Sequence, residues 1–216
     1  MSRRDAYRFV GPAYDALTVL FSGHAILRAK TTFVNELRPG QRVLFAGVGH
    51  GRDALVAAAR GAHVTVVDLS PTMLVRCRTL LARDGHHDDV TFVVDDIRQF
   101  SAPHSFDVVV ANFFFNVFAP AEARHVLAHL IAQAKSGGTL VVGDFHAPLN
   151  NPLVRALQHA HWWLAVLFFG AVAGNALHPL LDVARLLQDA GVDVVEQRTF
   201  RVLGAPLYQA TRGRLP

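Results

Sequence analysis

Residues 42–53 read Arg-Val-Leu-Phe-Ala-Gly-Val-Gly-His-Gly-Arg-Asp, an apolar run that breaks into three glycines at alternate positions, Gly47, Gly49 and Gly51. Without a Cβ, glycine lets the backbone turn tightly and lets a ligand approach the N–H groups that open the next helix. The run therefore predicts a strand feeding a helix through a phosphate-sized turn, with His50 on the turn. The Gly-x-Gly-x-Gly spacing lacks the two-residue step to the last glycine of the dinucleotide fingerprint. Seventeen residues beyond Gly51, a second strand, His63–Val67, ends in Asp68. An acid at that tip is placed to accept both hydroxyls of a ribose, so the expected ligand is a nucleoside.

The order strand, turn, helix, strand continues along the chain. Gly61 closes the helix that starts at Asp53, and Ser70-Pro71 opens another with a capping serine and a proline at its first position. In that helix Met73, Leu74, Cys77, Leu80 and Leu81 form one apolar stripe, which makes Cys77 a packed thiol. Strands follow at Val90–Val94, ending in Asp95-Asp96-Ile97, and at Phe106–Ala111, ending in Asn112-Phe113-Phe114-Phe115. A helix over Ala121–Lys135 stops at Gly137-Gly138 and delivers a strand from Thr139 to Phe145, followed by His146. His86-His87-Asp88-Asp89 resembles a metal site in composition but sits at the opposite edge, as a solvated loop; no metal is expected.

Strands alternating with helices predict a doubly wound, mostly parallel α/β sheet that binds its ligand at the carboxyl ends of the strands. The glycine turn, Asp68, Asp96, Asn112 and His146 all fall at such ends. A last helix, Pro179–Ala190, and two strands near Val192–Phe200 and Ala205–Thr211 add an antiparallel hairpin at one edge, for seven strands in all.

Val43–Gly51, the run Val66-Val67-Asp68-Leu69-Ser70-Pro71-Thr72-Met73-Leu74, Val93–Ile97 and Ser105–Asn112 resemble successive motifs of class I S-adenosylmethionine-dependent methyltransferases. The Asp-Leu-Ser-x-x-Met-Leu form and Gly143-Asp144-Phe145-His146-Ala147-Pro148, followed by Asn151-Pro152-Leu153, are closer to the ubiquinone/menaquinone C-methyltransferase branch. The resemblance implies a Rossmann-like fold and S-adenosylmethionine as cofactor. It implies cofactor contacts at the three glycines and His50, at Asp68, Leu69 and Met73, at the adenine-reading pair Asp96 and Ile97, and at Asn112. Tyr14-Asp15 looks like the Tyr-Asp that opens many members, which adds Tyr14. One departure concerns the methionine end of the cofactor, where the family usually carries an acid two residues before the first glycine and this chain has Phe45.

At 216 residues one domain is expected: a helical cap over 1–40 with helices at Ala13–Leu20 and Ala25–Leu37, a cofactor-binding core over 41–149, an apolar helical insertion over 150–182, and a closing helix and hairpin over 183–216. The lone cysteine excludes an intramolecular disulfide, and the start carries no uninterrupted apolar segment of signal-peptide length, so the expected compartment is the cytoplasm. Twenty-one basic residues against seventeen acidic give a formal charge of +4, but the arginines are scattered, which argues against a nucleic-acid partner.

The apolar content, 51%, is concentrated in Trp162–Gly174, thirteen residues without a polar side chain. That is short of the ~20 needed to span a bilayer. The segment leaves the sheet on the reaction rim, so it is expected to wall a pocket for a lipophilic acceptor and to touch the inner face of a membrane; a buried core helix is the alternative.

The function expected is methyl transfer to a lipophilic small molecule, a quinone precursor or related lipid, with His146 as candidate base by its place beside the rim. Rivals are a non-methyl-transfer reaction on the same fold, a nucleic-acid methyltransferase, and a silent cofactor-binding protein. The second is disfavoured because Asn112 is followed by Phe113-Phe114 with neither proline of the amino-methylating signature. The sequence leaves the oligomeric state open.

Overall fold

The computed structural model describes residues 24–173 and 179–216, with side chains of 168–173 excepted. Tyr14 and the helix expected over Ala13–Leu20 lie outside these residues.

Seven strands form one sheet in the order β3-β2-β1-β4-β5-β7-β6. They are β1 (Arg42–Ala46), β2 (His63–Asp68), β3 (Val90–Val94), β4 (Phe106–Val110), β5 (Ala134–Phe145), β6 (Asp193–Val202) and β7 (Ala205–Arg214). The first five run parallel, and β7 enters antiparallel against β5, with β6 outermost as the other arm of the hairpin. β1 from Val43 and β4 from Val108 read as continuous apolar runs because both of their faces are covered. On one face lie α1 (Ala25–Thr31), α2 (Arg52–Ala59) and α3 (Pro71–Arg83); on the other lie α4 (Pro120–Gln133) and α6 (Val183–Asp189). Strand order reverses beside β1, which puts the glycine turn at the switch point where such sheets bind ligands.

Several boundaries differ from expectation, among them the closing helix, which starts at Val183 rather than Pro179. α1 stops at Thr31, whose hydroxyl turns back to donate to the carbonyl of Leu27 at 2.9 Å, and the chain continues as a short 3-10 turn over Val34–Glu36. β5 begins at Ala134, five residues early, with Gly137 at φ +69° and a register shift against β4 between Phe106 and Val108. A Cβ on Gly138 would stand 2.8 Å from the Lys135 carbonyl oxygen, so the glycines that looked like a helix stop permit an irregular strand start.

The apolar segment is α5, Pro152–Ala173, capped by Asn151, whose Oδ1 accepts from the N–H groups of Leu153 (3.1 Å) and Val154 (3.2 Å). Burial divides it into two sides. Gln158, Trp162, Ala165 and Val166 face the protein, while Leu153, Leu157, Trp163, Leu164 and Leu167 face outward, the last two each 59% exposed. Gln158 fastens the inner side by donating to the Pro206 carbonyl at 2.9 Å and accepting from Leu149 N–H at 3.0 Å. No helix among the described residues is long and apolar enough to cross a membrane.

Candidate functional site

The carboxyl ends of β1, β2, β4 and β5 form a rim. The turn after β1 is fixed from its neighbour: Gly47 N–H donates to the Val67 carbonyl at 2.8 Å, and Asp68 accepts the N–H groups of Val48 (2.9 Å) and Ser70 (2.8 Å), one on each carboxylate oxygen. Burial raises the Asp68 carboxyl above the ordinary aspartate range, opposed by these amides and that of Gly49.

The three glycines have different reasons to be glycine. All have positive φ, between +52° and +76°. A Cβ on Gly47 would meet the Phe114 ring at 2.9 Å and one on Gly51 would meet Cys77 Sγ at 2.5 Å, so those two serve packing. Gly49 opens onto space whose nearest neighbour is Lys30 Nζ at 3.9 Å. Cys77 is buried, and burial with Asp53 nearby pushes its thiol up to about 12, the packed cysteine expected.

Asn112, expected as a cofactor contact, spends its amide inside the protein. It donates to the Lys30 carbonyl (3.0 Å) and to Asp53 Oδ2 (2.9 Å) and accepts from Gly143 N–H (2.7 Å). Gly143 leaves room for α1, since a Cβ there would stand 3.2 Å from the Ala29 carbonyl oxygen. Beside this node Lys30 Nζ lies 3.3 Å from Asp53 Oδ1. Neither residue carried a role in the sequence reading, because they come from different helices and belong to no local spacing. Phe45 is 1% exposed in the core and adds no charge.

The remaining expected contacts separate. Leu69 is open at the rim, whereas Met73 and Ile97 are buried in the cores on opposite faces of the sheet. The Asp96 carboxylate receives Arg98 Nε at 2.9 and 3.0 Å, and this hydrogen bonding holds it below the usual aspartate range. His50 is half-buried on the turn. The histidine–aspartate cluster over residues 86–89 forms two local ion pairs, and no group of metal-ligating side chains occurs among the described residues.

Next to the turn stands an aromatic cluster. Phe113, with φ +52°, brings its ring to within 5.8 Å, centroid to centroid, of both Phe145 and Tyr208. Phe145 meets Trp162 edge-on at 4.9 Å. His146 turns Nδ1 to the Ala147 carbonyl at 2.7 Å. His161 instead joins the cluster, its Nε2 2.7 Å from the Tyr208 hydroxyl, and burial lowers its pKa to about 4, so it is neutral at pH 7. No local spacing pairs His161 with Tyr208, 47 residues further along the chain, so the sequence does not single out this contact.

The fold matches known proteins. The methyltransferase domain model matches residues 43–138, from β1 into β5. The demethylmenaquinone methyltransferase of Clavibacter sepedonicus is 36% identical over 150 residues, covering 68% of this chain and 58% of that protein. The chain belongs to the class I S-adenosylmethionine-dependent methyltransferase family. Another methyltransferase relative, the ubiquinone/menaquinone biosynthesis C-methyltransferase UbiE of Vibrio parahaemolyticus, is 26% identical over 209 residues, 88% of this chain and 79% of that protein. The chain thus spans little more than half of the Clavibacter protein and about four-fifths of the Vibrio one. Burkholderia thailandensis 1,6-didemethyltoxoflavin-N1-methyltransferase, crystallised with S-adenosylhomocysteine, shares the fold at a TM-score of 0.69 and 22% identity, over 97% of this chain and 86% of that one. S-adenosylmethionine is the family's cofactor, and the open Gly49 with an acid at the β2 tip fits its nucleoside.

Proposed function

We propose that this methyltransferase moves a methyl group from S-adenosylmethionine to a lipophilic aromatic acceptor of the quinone-precursor class. The observation that carries the reading is the aromatic cluster Phe113, Phe145, Trp162 and Tyr208 on the rim that holds the glycine turn. Phe113 and Phe145, half-buried at the strand ends and backed by the buried Trp162 and Tyr208, favour a flat aromatic acceptor by edge and face contacts. The C-methyltransferase relatives support the class.

The sulfonium supplies an electrophilic methyl; the chain's work is to align the acceptor and exclude water. Asp68 meets the ribose hydroxyls with the lone pairs its backbone donors leave over, since each carboxylate oxygen accepts more than one hydrogen bond. His161, neutral and hydrogen-bonded to Tyr208, fixes the aromatic cluster from the α5 side.

The outward side of α5 meets a membrane surface from which such an acceptor is drawn. It presents Leu153, Leu157, Trp163, Leu164 and Leu167, and no acidic residue occurs between Asp144 and Asp182 to repel anionic headgroups.

The test is methylation of demethylated quinone precursors that differ in side-chain length, with radiolabelled cofactor. Transfer to a long-chain precursor supports the reading. A protein that binds the cofactor but methylates only water-soluble amines would overturn it.

A further inference from the structure

The charge pair between Lys30 and Asp53 is built in an unusual way for a structural ion pair. Asp53 sits in the first turn of α2 with its side chain 2% exposed, and Lys30, from the last turn of α1, is 17% exposed. The 3.3 Å approach brings the charges together without a well-formed hydrogen bond: Asp53 Oδ1 is buried and accepts none. Taking a carboxylate and an ammonium out of water is costly unless the remaining valences are filled. Here they are left open at one place, beside Gly49, where Lys30 Nζ is the nearest atom to the vacant Cβ position. Asp53 Oδ2 is pinned by Asn112 at 2.9 Å, so the acid cannot turn away to seek another donor.

We propose that Lys30 and Asp53 together read the zwitterionic amino-acid end of the cofactor, Lys30 receiving its carboxylate and Asp53 Oδ1 its ammonium. The assignment rests on S-adenosylmethionine occupying the rim. The nucleoside end lies toward Asp68, on the β2 side of the glycine turn, and the charge pair lies toward α1 and Asn112, on the β4 side. A ligand laid across Gly49 therefore meets an acid for its ribose at one end and a cation with an acid for its zwitterion at the other. Lys30 belongs to α1, which packs on Gly143 through Ala29 and is held by Asn112 at the Lys30 carbonyl, so this packing sets where its ammonium stands.

S-adenosylhomocysteine and 5′-methylthioadenosine test this by calorimetry, because they share the adenosine and the sulfur and only the first carries the amino acid. The parent is expected to prefer S-adenosylhomocysteine by roughly tenfold or more, and Lys30→Met to lose roughly ten- to a hundredfold for that ligand while binding 5′-methylthioadenosine as the parent does. Lys30→Arg, which keeps the charge, should retain most of the preference. Equal binding of both ligands by the parent overturns the assignment without any variant. So does a Lys30→Met protein that keeps the full preference, or one that loses both ligands alike. A parent that binds neither ligand removes the cofactor reading itself.

Discussion

Asp68 Oδ2 accepts the backbone N–H of Val48 at 2.9 Å, so the acid at the tip of β2 shapes the turn at the tip of β1. The same carboxylate assigned to the ribose therefore also holds the loop on which the cofactor lies. Asp68→Ala should lower both S-adenosylhomocysteine affinity, by roughly ten- to a hundredfold, and thermal stability. Asp68→Asn should fall between, since one amide oxygen can still accept from Val48. Calorimetry and thermal melts check this, and a normal affinity in Asp68→Ala would end the assignment.

The glycines of the turn should respond differently to substitution. Gly51→Ala drives a methyl into Cys77 and, at φ +76°, strains the backbone, for a loss of about 1–3 kcal/mol in denaturant unfolding. Gly49, at φ +52°, is strained by a side chain too, but without the clash, so Gly49→Ala should cost less stability than Gly51→Ala while lowering cofactor affinity, and Gly49→Val should lower that affinity further. Equal stability losses at the two positions would show that Gly49 too is a packing glycine.

His161 makes the fold sensitive to acid in a stated window. Its folded pKa, about 4, lies below the unfolded value of ~6.5, so the unfolded chain binds more protons between the two. The neutral histidine is accommodated in full above pH 6.5, and stability is lost as pH falls from 6.5 toward 4. His161→Gln should flatten that part of the melting-temperature curve relative to the parent. Identical slopes in the two proteins would mean that His161 stays accessible to protons.

Leu164→Ser combined with Leu167→Ser removes two outward side chains of α5, each worth ~1.5–3 kcal/mol when withdrawn from water. Co-sedimentation with anionic liposomes should drop, while binding of S-adenosylhomocysteine and the melting temperature stay near those of the parent. Unchanged sedimentation would remove the membrane contact.

The strand-end chemistry was legible in sequence because parallel strands repeat one plan, an apolar run ending in a polar or glycine residue, and the ends of a parallel sheet coincide in space. What escaped depends on pairs distant along the chain. Lys30 and Asp53 lie on separate helices, and His161 meets Tyr208 only because α5 returns over β7. His146 has the right address but a local carbonyl claims its ring nitrogen, which spacing cannot reveal. The start of β5 was misread because Gly137 and Gly138 look the same whether they stop a helix or admit a bulge. Composition also made α5 look uniform, although packing on one side gives it two different faces.

Asn112 joins three elements of the rim. Its amide ties the end of α1 to α2 through Lys30 and Asp53 and to β5 through Gly143, all from one side chain just beyond β4. One side chain thus serves as a shared fastening for three parts of the chain that are far apart in sequence, and shortening it strips the Lys30 carbonyl, the Asp53 carboxylate and the Gly143 N–H of that partner together.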